Sequence, residues 1–222
     1  MLLPYYSAVL LILCLDISSF TSAIGPVLHE DNRTTCEEFG KYARFNPHSI
    51  LNDWWMSFYY WGPTQPTLHF KFCLPTPKEI AYLKYIFEGH VLQPINWTAT
   101  LLLMHERSNY THLLVEQGDR GEYLSYTPYK DFKPTDVAEP HELRLKQVNN
   151  GRYIGFMVCD SNAAYAFARY KDVPRKKDIQ DVAATIGYKG RGGKSYLYQG
   201  HEWMPIPEAD DTMRDTFVNN KE

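Results

Sequence analysis

Short apolar runs broken by turn formers recur along the chain from Asn52 to Tyr170. Asn52 to Trp61 is an aromatic run interrupted by Gly62, Pro63 and Pro66, as a loop would interrupt it. Leu68 to Leu74 alternates and stops before Pro75 and Pro77. Glu79 to Phe87 fits neither the helix nor the strand period cleanly, and its β-branched and aromatic residues favour strand. Ile95 to Glu106, Tyr110 to Glu116 and Glu122 to Tyr129 read as strands, with a turn at residues 117–121. His141 to Val148 alternates clearly, placing Leu143 and Leu145 on one face. Asn149-Asn150-Gly151 is a hairpin signal. Arg152 to Cys159 and Ala163 to Tyr170 follow as two strands around the turn formers Asp160, Ser161 and Asn162. Asp178 to Tyr188 then changes period, with Ile179, Val182, Ala183 and Ile186 on one helical stripe and Gly187 and Gly190 to stop it.

The flanks are less regular. Cys36 to Phe45 is one helical turn or irregular chain, and Asn46 to Ser49 is a turn in which Ser49 can act as a cap. Ser195 to Gln199 adds one more short strand. The count is about eight to nine short strands and one late helix. That pattern predicts an all-β antiparallel barrel or sandwich.

Composition narrows the class. The 222 residues suffice for one domain, and 44% apolar with 22% charged residues is globular. The 17 Tyr, 11 Phe and 5 Trp suit pleated, half-buried surfaces. A net charge of −3 gives no footing for nucleic acid.

Ala8 to Leu15 is a short apolar core followed by Thr21-Ser22-Ala23, which predicts a signal peptide over residues 1–23 and a secreted, extracellular protein. The run is too short to span a membrane, so no integral span is expected. Residues 24–45 are then an N-terminal arm, 46–200 the folded domain and 201–222 a polar C-terminal tail. Three sequons, at Asn32, Asn96 and Asn109, agree with secretion and predict a glycoprotein. Beyond Cys14 the cysteines are Cys36, Cys73 and Cys159, so one disulfide and one leftover thiol are expected, with all three pairings open.

Three stretches together resemble a lipocalin, in particular the apolipoprotein D and insect bilin-binding group. Asn52-Asp53-Trp54-Trp55 resembles the family's Gly-x-Trp-Tyr motif on its first strand, with Trp54 in the tryptophan position. Val148 to Cys159 resembles its late hairpin and closing cysteine, without the Thr-Asp-Tyr part. Phe167-Ala168-Arg169-Tyr170, with Pro174 and the following helix, resembles the last strand, its arginine and the packed helix. The resemblance implies an eight-stranded antiparallel up-and-down barrel with one C-terminal α-helix packed on it. It also implies a Cys36–Cys159 disulfide, leaving Cys73 over. A tryptophan plugging the closed end gains a cation–π contact from an arginine on its ring, which pairs Trp54 with Arg169. The alternative is a core tryptophan and an unrelated surface arginine.

Within such a barrel, alternation assigns a lining. A glycan on Asn96 must point outward, which turns Trp97, Ala99, Leu101 and Leu103 inward. A glycan on Asn109 turns Tyr110, His112 and Leu114 inward, and Met56, Phe58 and Tyr60 share the face of Trp54. Such a lining suits a hydrophobic ligand with a polar end.

Catalytic signatures are missing: no G-x-S-x-G, Walker or G-x-G-x-x-G motif occurs, and no two of the eight histidines share metal-ligand spacing. No enzyme, cofactor or metal is therefore expected. The expectation is a carrier of a small hydrophobic ligand, for which the resemblance names a pigment, sterol, retinoid or fatty acid. The competing expectation is a secreted interaction module with a filled barrel, exposing aromatic residues such as Trp55, Tyr59, Trp61 and Trp203. Expected partners are the ligand, a cell-surface receptor, or a second chain linked through Cys73.

Overall fold

The computed structural model describes residues 33–62, 68–119, 121–128, 136–190, 193–195 and 197. The expected signal segment, Asn32, the start of the expected arm, the expected C-terminal tail and most of the expected 195–199 strand lie outside the described residues.

Eight antiparallel strands close into a barrel in sequence order, β1 through β8. They are β1 (Trp54–Trp61), β2 (His69–Cys73), β3 (Leu101–Glu106), β4 (Thr111–Glu116), β5 (Glu122–Tyr126), β6 (His141–Val148), β7 (Tyr153–Val158) and β8 (Ala163–Arg169). Among the described residues three α-helices decorate it: α1 (Cys36–Gly40), α2 (Pro77–Phe87) and α3 (Ile179–Ala184). The β6–β7 hairpin forms where the sequence signals it, with Asn149, Asn150 and Gly151 at φ of 51°, 57° and 80°. Left-handed backbone of this kind is what asparagine and glycine accept most readily.

Two expected elements differ. Glu79 to Phe87 is helix, not strand. Thr76 Oγ1 accepts from Glu79 N at 3.3 Å, Glu79 Oε2 accepts from Thr76 N at 2.6 Å, and Pro77 stands in the first turn. This is a complete capping box, and Leu83 and Phe87 are its buried apolar anchors. The predicted strand from Ile95 begins only at Leu101, and residues 95–100 form turns. In addition, the 3-10 turn Pro47–Ile50 is capped by Asn46 Oδ1, which accepts from His48 N at 3.1 Å, rather than by Ser49.

The closed end is built around Trp55. Its ring is fully buried, its Nε1 donates to Ile50 O at 3.0 Å, and the Arg169 guanidinium lies 4.6 Å from the ring centre. Arg169 Nη2 donates to Ser49 O at 2.8 Å, and its Nε is 2.6 Å from Asp53 Oδ2. The expected partner, Trp54, is instead half-buried and turned to the outer face, paired in register with Lys71. The arginine stack therefore forms one residue later than the motif suggested. The 3-10 turn crosses the opening beneath and is tied to β6: Asn46 N donates to Gln147 Oε1 at 2.9 Å, and Gln147 Nε2 donates to Ser49 Oγ at 2.6 Å.

Helices cover much of the outer wall. Phe39 of α1 and Ile179, Ala183 and Ile186 of the α3 region pack with Phe58, Tyr153, Met157 and the alanines of β8. Gly155 permits this approach, because a Cβ there would lie 2.7 Å from Ile186 Cγ2 and 3.0 Å from Phe39 Cζ. Lys146 Nζ sits 3.8 Å from the centre of the Phe39 ring, and burial pulls its pKa down to about 8. On another wall, Leu83 and Phe87 of α2 pack with Leu101, Leu103, Leu113 and Val115. The Cys36–Cys159 disulfide joins α1 to the end of β7 across a separation of 123 residues.

Two outcomes follow for stability. Trp55→Ala is expected to cost about 3–5 kcal/mol in urea unfolding, and Trp54→Ala only about 1 kcal/mol; equal costs would contradict the assignment of the plug to Trp55. Reducing the disulfide, or Cys36→Ser, is expected to remove roughly 3–5 kcal/mol, read as a fall in the urea midpoint.

Candidate functional site

Residues paired in register share a face, so the ladder fixes which side chains enter the barrel. Trp55 pairs with Arg169 and with Phe70, Phe72 with Met104, Leu102 with Leu114 and Met104 with His112. Around the other half, Leu114 pairs with Ser125, Tyr123 with Leu143, Leu145 with Phe156, and Phe156 with Tyr165. The register between β1 and β8 shifts between Ser57 and Tyr59. That irregularity inserts Phe58 and returns Tyr60, not Tyr59, to the inside opposite Tyr165.

Three of the ten expected lining residues therefore enter the barrel, Tyr60, His112 and Leu114, while Ala99 precedes β3 and packs with Trp97 in the outer cluster. Met56 and Phe58 face outward, in register with or packed beside the alanines of β8. Leu101 and Leu103 face outward under α2. Trp97 precedes the strand, half-buried in the same outer cluster with Lys84 Nζ 5.6 Å from its ring centre. Tyr110 sits in the turn before β4 and is 61% exposed. An outward phase at Asn96 does not carry into β3, because Asn96 precedes the strand and turns intervene.

The middle of the barrel is an aromatic stack that the sequence reading did not assemble. Phe70 lies 6.1 Å from Phe156 and 5.5 Å from Phe167, centre to centre. Phe156 contacts Tyr165 at 6.1 Å, and Tyr165 stacks on Tyr60 at 6.5 Å. These five rings are 2–5% exposed, so at rest they fill the space they enclose. The signal for them lay in the alternation of residues 68–74, 152–159 and 163–170, which becomes a common face only once register is known.

Above the stack, at the end carrying the β3–β4, β5–β6 and β7–β8 connections, the inward positions turn polar. Glu106, His112, Ser125 and His141 occupy them. His112 Nδ1 and Thr127 Oγ1 are hydrogen-bonded at 2.8 Å. Burial holds the His112 pKa below its ordinary value; Glu106 opposes this and His141 adds to it. His141 Nδ1 contacts Asp160 Oδ2 at 2.8 Å, and both are exposed at the rim. Glu106 Oε2 accepts from Ser108 Oγ at 2.6 Å.

Other titratable groups lie on the outer wall. The Tyr170 hydroxyl and His69 Nδ1 are hydrogen-bonded at 2.6 Å, and burial with the nearby Arg107 charge pushes His69 down to about 4. His105 Nδ1 and Thr111 Oγ1 are hydrogen-bonded at 2.9 Å, both buried. Among the described residues one group has metal-ligand spacing, Cys36, Glu142 and Cys159, and its two sulfurs are joined in the disulfide. Disulfide sulfurs are not thiolates, so this is no metal site.

Cys73 lies outside the Cys36–Cys159 disulfide and is 4% exposed, with Sγ 3.9 Å from Asn52 Oδ1. A thiol so placed cannot reach a second chain without local opening, which counts against a Cys73-linked dimer. Asn96 and Asn109 are both exposed. Asn96 Oδ1 accepts from Thr98 N and Thr98 Oγ1 at 3.1 and 2.6 Å, and Asn109 sits in the β3–β4 turn at φ 69°. No helix among the described residues is long and apolar enough to cross a membrane.

No protein-family model matches this chain, and no curated protein matches it either. The assignment of a role therefore rests on the barrel and on what faces into it.

Proposed function

We propose that this protein is a secreted, N-glycosylated barrel of the lipocalin type that carries a small hydrophobic ligand, received at the polar mouth and seated on the aromatic stack. The observation that carries this reading is the convergence of both surfaces on one barrel face. Five aromatic rings lie beneath, and His112, Ser125 and Thr127 stand at the rim above. Apolar walls with a few placed polar groups are the usual composition of a small-molecule site. The rings favour a flat or conjugated ligand body, because offset stacking adds to simple burial. Entry requires Tyr60, Tyr165 and Phe156 to swing aside, since they close the space at rest. The disulfide, the signal-like start and the exposed sequons at Asn96 and Asn109 support an extracellular setting.

The same burial favours a second reading, a secreted interaction module whose barrel stays filled. Fully packed interiors are common in small barrels. Exposed Tyr42, Tyr85 and Leu92 would then belong to recognition surfaces.

Native mass spectrometry of the secreted, deglycosylated protein separates the two. An added mass of a few hundred daltons that disappears on mild organic extraction is expected. A bare mass, together with unchanged intrinsic fluorescence across candidate ligands, would sink the carrier reading in favour of the filled barrel.

A further inference from the structure

The charge at the mouth restricts what the ligand's polar end can be. We propose that the site selects an uncharged, hydroxyl-ended ligand over a carboxylate-ended one, with His112 as the reading residue and Glu106 as the group that turns an anion away. This deepens the carrier reading and rests on it.

The placement of His112 is over-determined. Its register partner is Met104, and it shares the inner face of β4 with Leu114. Thr127 holds Nδ1, which fixes the ring plane. Nε2 is the remaining polar atom, and it has no protein partner among the described residues. Beside it on the same inner face, the Ser125 hydroxyl is buried at 4% exposure between Leu114 and His141 in register. A ligand hydroxyl can both donate and accept, so it can meet a neutral imidazole in either tautomer. Burial holds the His112 pKa below its ordinary value despite the neighbouring Glu106, and so favours the neutral ring.

The balance of charge is set by alternation. Lys71, Arg144 and Lys146 fall on the outward phase of β2 and β6. Among the described strand residues, Arg169 is the sole lysine or arginine on the inner face, and it lies at the opposite end, held by Trp55, Asp53 and Ser49. Glu106 faces inward at the mouth in register with Phe70. The groups around His112 are therefore Glu106 from β3, Thr127 after β5, and His141 from β6 with Asp160 bonded to it. A carboxylate seated there would meet Glu106, with no lysine or arginine of the described strands on the inner face at that end to offset it. Desolvating it under those conditions is unfavourable.

Matched pairs that share a body and differ at the end test this: retinol against retinoic acid, hexadecanol against hexadecanoic acid, and naphthylmethanol against naphthoic acid. Each is titrated near neutral pH against the full secreted protein, with calorimetry or quenching of intrinsic fluorescence as readout. In the pair that fits the barrel, the alcohol is expected to bind about tenfold or more tightly than the acid. Glu106→Gln should narrow that ratio by strengthening the acid. His112→Leu should weaken the alcohol about tenfold and leave the acid nearly unchanged. His112→Asn, which keeps a polar group, should restore part of the alcohol affinity and controls for a leucine variant that misfolds. An acid that binds as tightly as its alcohol, or a ratio untouched by both substitutions, would overturn the proposal and leave the carrier reading standing. Failure of every member of every pair, with a bare native mass, would overturn both.

Discussion

The barrel depends on the closure of its last strand against its first, and that closure is locked where Arg169 lies over Trp55. An eight-stranded sheet removes both edges only if β8 returns to β1 in the correct register. A flat apolar ring and a flat cation on opposed strands make one register better than its neighbours. The arginine also takes Ser49 O and approaches Asp53, so the stack holds the 3-10 turn that crosses the closed end. A one-residue slip would turn the tryptophan to the outer wall, strand the guanidinium and open the base. The interior geometry at the other end inherits its phase from this contact.

Much of the architecture was legible. All eight strands sit within expected runs, and the late hairpin and the α3 stripe are where the sequence places them. The exception is instructive. Strand character in Glu79 to Phe87 rests on β-branched and aromatic content, a measure of what a residue packs well against. Thr76-Pro77-Lys78-Glu79 carried a different kind of information, because it satisfies the free N–H groups that only a helix start creates. Where composition and a terminus signal conflict, the terminus signal names a specific backbone geometry and composition does not.

The lining was harder to read, and the reason is the covering of the outer wall. On β3 and β8 nearly every residue is buried, because α2 covers one and α1 with the α3 region covers the other. Hydrophobicity cannot separate inside from outside on a strand that is apolar on both faces. On β6 the outer face remains partly open, and there the alternation of Leu143 and Leu145 was unambiguous. His112 and Leu114 were placed correctly, since Asn109 lies close enough to β4 for its phase to carry. Leu101 and Leu103 were not, since turns at residues 95–100 separate Asn96 from β3. A single irregularity at Phe58 likewise split Met56 and Phe58 from Tyr60, which no count of alternating positions can anticipate.

The interior sets two demands against each other. Stacking Phe70, Phe156, Phe167, Tyr165 and Tyr60 gains dispersion and burial throughout the middle of the barrel. Admitting a ligand must replace those contacts with equivalent ones, or the bound state loses what the empty one had. Aromatic side chains suit that exchange, because few rotatable bonds separate a ring that fills a space from one that lines it. An aliphatic filling of equal volume would offer no flat surface to a conjugated guest. The polar rim then acts on what remains outside the stack, the end of the ligand. Affinity belongs to the rings, and discrimination to His112, Ser125 and Glu106, which meet only that end.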